Sequence, residues 1–389
     1  MYKIKTYNKI SIKGLERFPR ENYELSSDIS HPDAYILRSH KLLDDTFPDG
    51  LKAIARAGAG VNNIPVDICS SKGIVVFNTP GANANAVKEL VLAGMLLASR
   101  GIIQGMNYAQ SLQSITDAGE MHKQLEAEKK QFAGSELAGK TLGVIGLGAI
   151  GSMVAQMALS MNMNVMGYDP ALSVEAAWRL PSEVEKMEHM QALLAKADYV
   201  SLHVPAIPAT HHLINEEVLK SVKQNSVLLN FARESIVDPQ AIADNLAAGQ
   251  LGQYICDFPE PCLLDNEKVI AMPHIGASTQ EAEENCAVMA ADQLMDYLNN
   301  GNIKNSVNFP AVAMERAGDH RITFANHNVS GVLGDVLSVF TRQQVNVIDM
   351  VNKSRGDLAY NIIDVEGDVN EEVLQEIQNL EHVISLRVL

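Results

Sequence analysis

The chain has 389 residues, of which 47% are hydrophobic and 20% charged, so it is long enough for two or three domains with substantial cores. Its formal net charge of −16 argues against a nucleic-acid partner, which would need a basic surface. The four cysteines lack the paired spacing of a metal site or a disulfide framework, and we find neither a signal peptide nor a run of about 18 apolar residues. We therefore predict a cytoplasmic protein without a metal site or membrane association.

Short β-rich segments alternate with helical patterns through most of the chain, which is typical of parallel α/β domains. A first group of strands is predicted near Lys3–Tyr7, Ala34–Arg38, Ala53–Arg56 and Ile74–Asn78. A long apolar helix follows, from about Ala84 to Ser99. A second group of strands is predicted near Thr141–Ile145, Asn164–Tyr168, Tyr199–His203, Val227–Phe231, Tyr254–Asp257 and Val269–Met272. The sequence thus predicts two consecutive α/β units.

A glycine-rich turn opens the second unit. Gly146, Gly148 and Gly151 form G-x-G-x-x-G between a predicted strand and a predicted helix over 149–161. The first glycine permits a tight turn, the second lets a pyrophosphate approach the backbone, and the third allows close packing of the helix on its strand. Asp169 ends the next strand, where an acid binds the adenosine ribose 2′-hydroxyl and disfavours a 2′-phosphate. This combination predicts a dinucleotide site that prefers NAD to NADP.

The end of the chain has a different character. A capping box at Ser278–Glu281 predicts a helix to about Asn299, and Asn302–Pro310 is predicted to be a polar linker. The predicted elements beyond it are strands at Arg321–His327, Val345–Val351, Leu358–Val365 and His382–Val388, with helices around Gly331–Gln343 and Glu371–Asn379. This β-α-β-β-α-β order is the ferredoxin-like unit. It holds no cluster of catalytic residue types, so we predict a regulatory or oligomerisation module.

Three side chains after successive strands of the nucleotide unit could support hydride transfer from an alcohol. Arg233 could hold a substrate carboxylate, or be a surface arginine paired with Glu234 or Asp238. His274 could act as general acid/base, or be a capped or core histidine. Glu260 could stabilise the imidazolium, or be an ordinary loop glutamate. Asp257 could contact the nicotinamide carboxamide or form a turn.

Two polar turns of the first unit are further candidates. The turn Arg56–Ile64 offers backbone N–H groups and an arginine to an anion, and Thr79–Glu89 leads into the long helix. Either could be only a loop. Their position after strands would let them face a cofactor.

Together the segments RAGAG, NTPGANANAVKE, GLGAIG, YDP, LHVP, NFARESIVD, DFPEP, MPHIGAST and NFP resemble the D-2-hydroxyacid dehydrogenase family over essentially the whole chain. The resemblance implies that Arg233, Glu260 and His274 are catalytic. It also implies two Rossmann-like doubly wound domains with a cleft between them, plus a C-terminal ferredoxin-like module similar to an ACT domain. The boundaries expected are residues 1–98 completed by 283–312 for the substrate domain, 99–282 for the NAD domain and 318–389 for the ACT-like domain.

The resemblance also implies the binding residues. The expected contacts to NAD are Thr79, Gly146, Gly148, Ala149, Ile150, Gly151, Asp169, His203, Val204, Phe231, Ala232, Arg233, Asp257, His274, Gly276 and Ala277. The expected substrate contacts are Arg56, Ala57, Gly58, Arg233 and His274. An effector such as L-serine would contact Asn326, Asn328 and Asn346, with sites paired across a subunit interface.

Two departures from the family pattern matter. One residue, rather than two, separates Phe258 from the Glu260-Pro261 pair, so the loop carrying the expected carboxylate is short. Asn326 stands where serine-inhibited relatives often have a histidine.

The resemblance and the ACT-like tail imply NAD-dependent oxidation of D-3-phosphoglycerate, the first step of L-serine biosynthesis, by a homodimer or homotetramer. The cations that would bind the substrate phosphate are undecided among Arg56, Arg38 and the Lys129-Lys130 pair, which could also be a solvated helix face. Alternatives are another D-2-hydroxyacid dehydrogenase, a 2-oxoglutarate reductase, or an NAD-sensing scaffold.

Overall fold

The computed structural model describes residues 1–7, 9–367 and 369–389, and its chain divides into two compact units. Unit 1 comprises Met1–Asn83 together with Gln280–Leu389, and unit 2 comprises Ala84–Thr279. This division lies before the domain boundary that the sequence suggests at residue 98, because the long apolar helix packs on the sheet of unit 2. The individual domain boundaries remain predictions.

The first part of unit 1 is a five-stranded parallel sheet. Its strands are β1 (Tyr2–Thr6), β2 (Tyr23–Ser26), β3 (Ala34–Leu37), β4 (Ala53–Arg56) and β5 (Val75–Phe77), with helices α1 (Ile12–Leu15) and α2 (Val66–Ser71). The spatial order β2-β1-β3-β4-β5 is that of a doubly wound sheet. Strand β2 was absent from the sequence prediction, since only one of its four residues is buried and its apolar pattern is weak.

Unit 2 contains a seven-stranded parallel sheet with helices on both faces. Its helices are α3 (Ala84–Ser99), α4 (Ile102–Ser111), α5 (Ala118–Glu128), α6 (Ala149–Ser160), α7 (Val174–Ala177), α8 (Met190–Leu194), α9 (Glu216–Leu219) and α10 (Pro239–Ala247). Its strands are β6 (Thr141–Ile145), β7 (Asn164–Tyr168), β8 (Glu185–Lys186), β9 (Tyr199–Leu202), β10 (Ser226–Asn230), β11 (Leu251–Cys256) and β12 (Val269–Ala271).

The order of these strands indicates which edge of the unit 2 sheet binds ligands. They run β12-β11-β10-β9-β6-β7-β8, so the connections change direction between β6 and β9. Ligands of such sheets bind outside the carboxyl ends of the strands at this switch point. Two apolar cores, one on each face, hold the sheet rigid beneath that edge.

Unit 1 resumes with the long helix α11 (Gln280–Asn300) and ends in a four-stranded antiparallel sheet. The remaining elements are β13 (His320–His327), α12 (Val332–Arg342), β14 (Asn346–Arg355), β15 (Leu358–Glu366), α13 (Glu371–Gln378) and β16 (Val383–Val388), with strand order β14-β15-β13-β16. The predicted α/β class and the predicted β-α-β-β-α-β order are thereby confirmed.

The segment Asn302–Pro310 is packed rather than extended as a free linker. Phe309 is fully buried, and the Asn308 side chain accepts a hydrogen bond from Val76 N (2.9 Å) and donates one to Ile74 O (2.9 Å). These bonds pair backbone groups at the open edge of β5. The polar composition of the segment does not by itself predict this pairing.

Candidate active site

The glycine turn after β6 has the geometry that a pyrophosphate requires. Gly146 has φ +91°, which a residue with a side chain rarely adopts. A Cβ on Gly151 would lie 1.9 Å from Gly146 O, so only glycine allows α6 to pack this closely. A Cβ on Gly148 would meet no described atom within 4 Å. The space above the N-terminus of α6 is therefore open, and the unpaired backbone N–H groups there favour an anion.

Asp169 lies next to this turn, as predicted. One carboxylate oxygen accepts a hydrogen bond from Leu147 N (2.8 Å) and the other accepts one from Ala171 N (2.9 Å). The carboxylate is therefore fixed at the end of β7, beside the loop that would carry the pyrophosphate. The residues present fit a dinucleotide with a free ribose 2′-hydroxyl.

His203 and Val204 follow β9 beside the glycine turn, since a Cβ on Gly146 would lie 2.6 Å from His203 O. The His203 Nε2 atom lies 2.8 Å from Ser201 Oγ, whereas its buried Nδ1 has no partner among the described residues. Burial lowers the pKa of this imidazole to about 3, so the ring is neutral at physiological pH.

Arg233 lies in the loop after β10, and its position depends on a buried amide. Asn230, the last residue of β10, is fully buried; its Nδ2 donates to Arg233 O (2.9 Å) and its Oδ1 accepts from Ala232 N (3.1 Å). The Arg233 guanidinium donates from Nη1 to Ala232 O (2.6 Å) and is partly exposed. Asn230 is not among the residues predicted from the sequence, although its place at the end of an apolar strand was an available signal.

His274 lies in the loop after β12 and is exposed to solvent. Its ring centroid is 4.8 Å from that of Phe258, with an interplanar angle of 58°. Its backbone has φ +56°, the left-handed region that a non-glycine residue seldom adopts. Glu260 is partly buried, and among the described residues no hydrogen bond or ion pair joins its carboxylate to His274. The predicted Glu260–His274 pair is therefore not formed here.

The sheet register brings the three candidate loops to one level. Asn230 pairs with Cys256, and Cys256 pairs with Ala271, on the adjacent strands β10, β11 and β12. Arg233, Glu260 and His274 each come three or four residues after one of these paired residues. All three therefore lie in loops at the same edge of the sheet. Phe231 and Ala232 lie on the first of these loops, and Gly276 and Ala277 on the third.

Asp257, which follows the middle strand, has the turn-forming environment that was one of its two predicted interpretations. It is 2% exposed, and its carboxylate accepts hydrogen bonds from Ile275 N (2.8 Å) and Gly276 N (2.7 Å). The side chain thus holds the backbone just beyond His274. Its contact with a nicotinamide carboxamide stays a prediction.

The candidate residues of unit 1 lie at the carboxyl edge of the first sheet. Arg56 Nε donates to Arg38 O (2.9 Å), and its Nη1 donates to Gly60 O within the same turn. Thr79, fully buried after β5, donates its backbone N–H to Gly58 O (3.0 Å). The two polar turns predicted from the sequence are thus hydrogen-bonded to each other through the backbone.

The candidate phosphate-binding cations differ in environment. Arg38 forms an ion pair with Glu283 at 2.7 Å, and both side chains are about two-fifths exposed. Lys129 pairs with the nearby Glu126 on an exposed face of unit 2, and Lys130 is also exposed. The lysine pair has the solvated helix face that the sequence analysis gave as its alternative.

Within one chain, Asn346 lies far from the other two candidate effector residues. Asn326 is opposite Ala359 on β15, whereas Asn346 is opposite Glu366 at the other end of that strand, roughly 23 Å away. Asn326 instead accepts a hydrogen bond from Asn361 Nδ2 (2.8 Å), and Asn361 Oδ1 accepts one from Asn352 (2.6 Å). Asn328 donates to Gly356 O (3.0 Å). The link through Asn361 is not predicted by the sequence pattern.

No helix among the described residues is long and apolar enough to cross a membrane. In the same part of the chain, no three His, Cys, Asp or Glu side chains cluster as metal ligands do.

Comparisons with known proteins agree with this geometry. Residues 94–276 match the family model "D-isomer specific 2-hydroxyacid dehydrogenase, NAD binding domain", and residues 320–382 match the ACT domain. The chain is 33% identical to D-3-phosphoglycerate dehydrogenase of Escherichia coli (strain K12) over 91% of this chain and 86% of that protein. It is 34% identical to the enzyme of that name from Methanocaldococcus jannaschii over 86% of this chain but only 62% of the relative.

A solved structure, the NAD⁺-bound 3-phosphoglycerate dehydrogenase of Entamoeba histolytica, is 25% identical with a TM-score of 0.58. The match covers 79% of this chain and 98% of that one.

The chain therefore belongs to the D-isomer specific 2-hydroxyacid dehydrogenase family, as an NAD-dependent oxidoreductase with a C-terminal ACT domain. The curated relatives described above all have the name D-3-phosphoglycerate dehydrogenase.

Proposed function

We propose that the protein oxidises D-3-phosphoglycerate to 3-phosphohydroxypyruvate with NAD, the first step of L-serine biosynthesis. The observation that carries this proposal is the similarity to D-3-phosphoglycerate dehydrogenase over 91% of the chain, with an arginine, a glutamate and a histidine leaving one edge of the nucleotide-binding sheet. The cytoplasmic location stays a prediction of the sequence.

The chain's own residues have distinct roles in this mechanism. NAD, when bound, supplies a nicotinamide ring that accepts the hydride. Arg233 holds the substrate carboxylate with its planar fork of donors and polarises the neighbouring C2 oxygen. His274 takes the hydroxyl proton as general base. Glu260 stabilises the resulting imidazolium, which requires the two side chains to come within hydrogen-bond distance.

Recognition of the substrate phosphate is assigned to unit 1. Arg38 is the better candidate than the lysine pair, because it lies beside the Arg56–Gly58 turn at the carboxyl edge of the sheet. Its present partner, Glu283, is exposed, and an exposed ion pair costs little to exchange for a phosphate.

The substrate test compares four oxoacids with the purified protein and NADH. We expect 3-phosphohydroxypyruvate to be reduced with a higher kcat/KM than 2-oxoglutarate, pyruvate or hydroxypyruvate. The His274→Ala variant should lose at least about 10²-fold in kcat while NADH affinity stays nearly unchanged. Equal kcat/KM for the phosphorylated and unphosphorylated substrates would contradict phosphate recognition. Absence of turnover on all four would favour an NAD-sensing scaffold.

We further propose that the protein is a homo-oligomer and that L-serine binds its ACT domain. Strand β14 supports the first point, because it is an edge strand whose ten residues are all exposed or only partly buried. The ACT domain supports the second point. The separation of Asn326 and Asn346 connects the two points, since a site containing both needs two chains. Light scattering and L-serine inhibition of NADH oxidation test these points; a monomer insensitive to L-serine would contradict both.

A further inference from the structure

The loop that carries His274 has a conformation that needs support. His274 is exposed and lies in the left-handed region at φ +56°, where a residue with a Cβ is unfavourable by about 1 kcal/mol or more. Such a conformation persists only where the surrounding structure imposes it. The contacts on either side of His274 must therefore supply the constraint.

The constraint on the following residues comes from one carboxylate. The two oxygens of Asp257 accept hydrogen bonds from Ile275 N (2.8 Å) and Gly276 N (2.7 Å), the two amides directly after His274. On the other side, His274 N donates to Met272 O (3.0 Å), and Met272 N donates to Cys256 O (2.8 Å). The loop is thus attached to the end of β11 both before and after the imidazole.

The burial of Asp257 makes this attachment strong. The side chain is 2% exposed, and among the described residues the structure gives it no Lys or Arg partner. A buried carboxylate without a cation depends on its hydrogen-bond donors, and such charge-assisted bonds are about twice as strong as neutral ones. Loss of the loop conformation would leave this charge unsatisfied, so the carboxylate favours the left-handed state of His274.

The segment after β11 also supplies a surface for the ring. Phe258, the next residue after Asp257, contacts the imidazole at 4.8 Å between centroids. Two consecutive residues after β11 therefore contact this loop, Asp257 through the backbone after His274 and Phe258 through the imidazole ring.

We propose that Asp257 is a positioning residue that fixes the general acid/base through the backbone beyond it. The inference rests on the proposed function, and it differs from the expected contact of Asp257 with the nicotinamide carboxamide. If Asp257 is a positioning residue, its effect on kcat depends on the presence of His274. If it contacts the coenzyme, its effect does not depend on His274.

A double-mutant cycle separates the two roles. Asp257→Asn replaces one acceptor oxygen by a donor, so one amide of the loop loses its partner. We expect kcat with 3-phosphohydroxypyruvate to fall about 10²-fold while the Kd of NADH changes less than about threefold. In the His274→Ala background, the same substitution should cost less than about threefold in kcat. The inference would be overturned if Asp257→Asn lowered kcat about 10²-fold in the His274→Ala variant as well. It would also be overturned if the affinity for NADH fell by as large a factor as kcat.

Asp238→Asn is the matched control. Asp238 also accepts two backbone amides, Gln240 N (3.0 Å) and Ala241 N (3.3 Å), but through a single oxygen that asparagine retains. This variant should keep the kcat of the parent. A loss of kcat as large as that of Asp257→Asn would attribute the effect to a general electrostatic change and would refute the positioning role.

Amide hydrogen exchange provides a readout without coenzyme or turnover. In the parent protein, Ile275 and Gly276 should exchange more slowly than Ala277, whose amide has no acceptor among the described residues. This measurement tests the inference even if Asp257→Asn fails to fold. Rapid exchange of both amides in the parent protein would show that Asp257 does not hold the loop. If His274→Ala keeps full turnover while both amides are protected, the assignment of His274 fails instead.

Discussion

The imidazole of His203 makes the stability of the folded protein depend on pH. Burial lowers its pKa to about 3 from the ordinary 6.5, so the folded protein holds it neutral where the unfolded chain protonates it. Below about pH 6.5 the unfolded state therefore binds the extra proton, and the free energy of unfolding falls as the pH falls toward 3.

We expect His203→Gln to remove this part of the acid destabilisation. Urea unfolding of the coenzyme-free protein between pH 7 and pH 4 should give a flatter dependence for the variant. The difference in slope should approach at most about 1.4 kcal/mol per pH unit. His211→Gln, at an exposed histidine, serves as the control and should leave the slope unchanged. Parallel curves for His203→Gln and the parent would contradict the assignment.

At the scale of elements, the glycines of the β6–turn–α6 segment serve two different purposes. One glycine is needed for packing of the helix, and another for binding of a pyrophosphate. Gly151 allows the helix to pack on the turn, because a Cβ there would lie 1.9 Å from Gly146 O. Gly148 faces open space, so its missing side chain matters to a bound pyrophosphate rather than to the fold.

Two alanine substitutions distinguish these roles. Gly151→Ala should lower both the free energy of unfolding, by about 1–3 kcal/mol, and the affinity for NADH, since α6 must shift. Gly148→Ala should weaken NADH binding but leave the unfolding transition within about 0.5 kcal/mol. Thermal unfolding without coenzyme and NADH fluorescence titration measure the two effects. Equal destabilisation by both substitutions would refute the distinction.

At the scale of unit 1, the ACT sheet packs in the same core as the first sheet. Ala325, Tyr360 and Ile362 contribute to the apolar cluster that also contains residues of β1, β3, β4 and α11. Arg321 and Asp364 form a fully buried ion pair at 2.7 Å, and Arg321 also donates to Asn300 O (2.9 Å) at the end of α11. Burial raises the pKa of Asp364, but Arg321 and the amide of Ala317 outweigh it, so the net pKa is lowered.

We expect Arg321→Ala to destabilise the whole of unit 1. Removing one partner of a buried ion pair typically costs about 3–5 kcal/mol, because the remaining charge is uncompensated. Amide exchange in β1 and in β13 should therefore accelerate together. Arg342→Ala, which breaks a solvent-exposed ion pair with Glu376 in the same ACT domain, should have a much smaller effect on stability than Arg321→Ala. Acceleration confined to β13–β16 would show that the ACT sheet unfolds independently of the first sheet.

The sequence alone was sufficient for the elements with strong local signals. Periodic apolar runs predicted most strands and the long helices, and the spacing of Gly146, Gly148, Gly151 and Asp169 predicted the dinucleotide-binding segment. These features follow from short-range stereochemistry: turn geometry, helix N-terminal amides and strand alternation act within a few residues. The resemblance of the motifs to a family supplied the candidate catalytic residues.

Only the tertiary structure decided what each of these residues contacts. Strand register put the loops of Arg233, Glu260 and His274 at one level, and two buried side chains, Asn230 and Asp257, were found to hold the loops of Arg233 and His274. It also showed that Asn302–Pro310 completes the edge of β5. Hydrogen bonds between residues distant in the chain leave no periodic pattern in composition, because their partners are chosen by the packing of the sheet rather than by their neighbours in sequence.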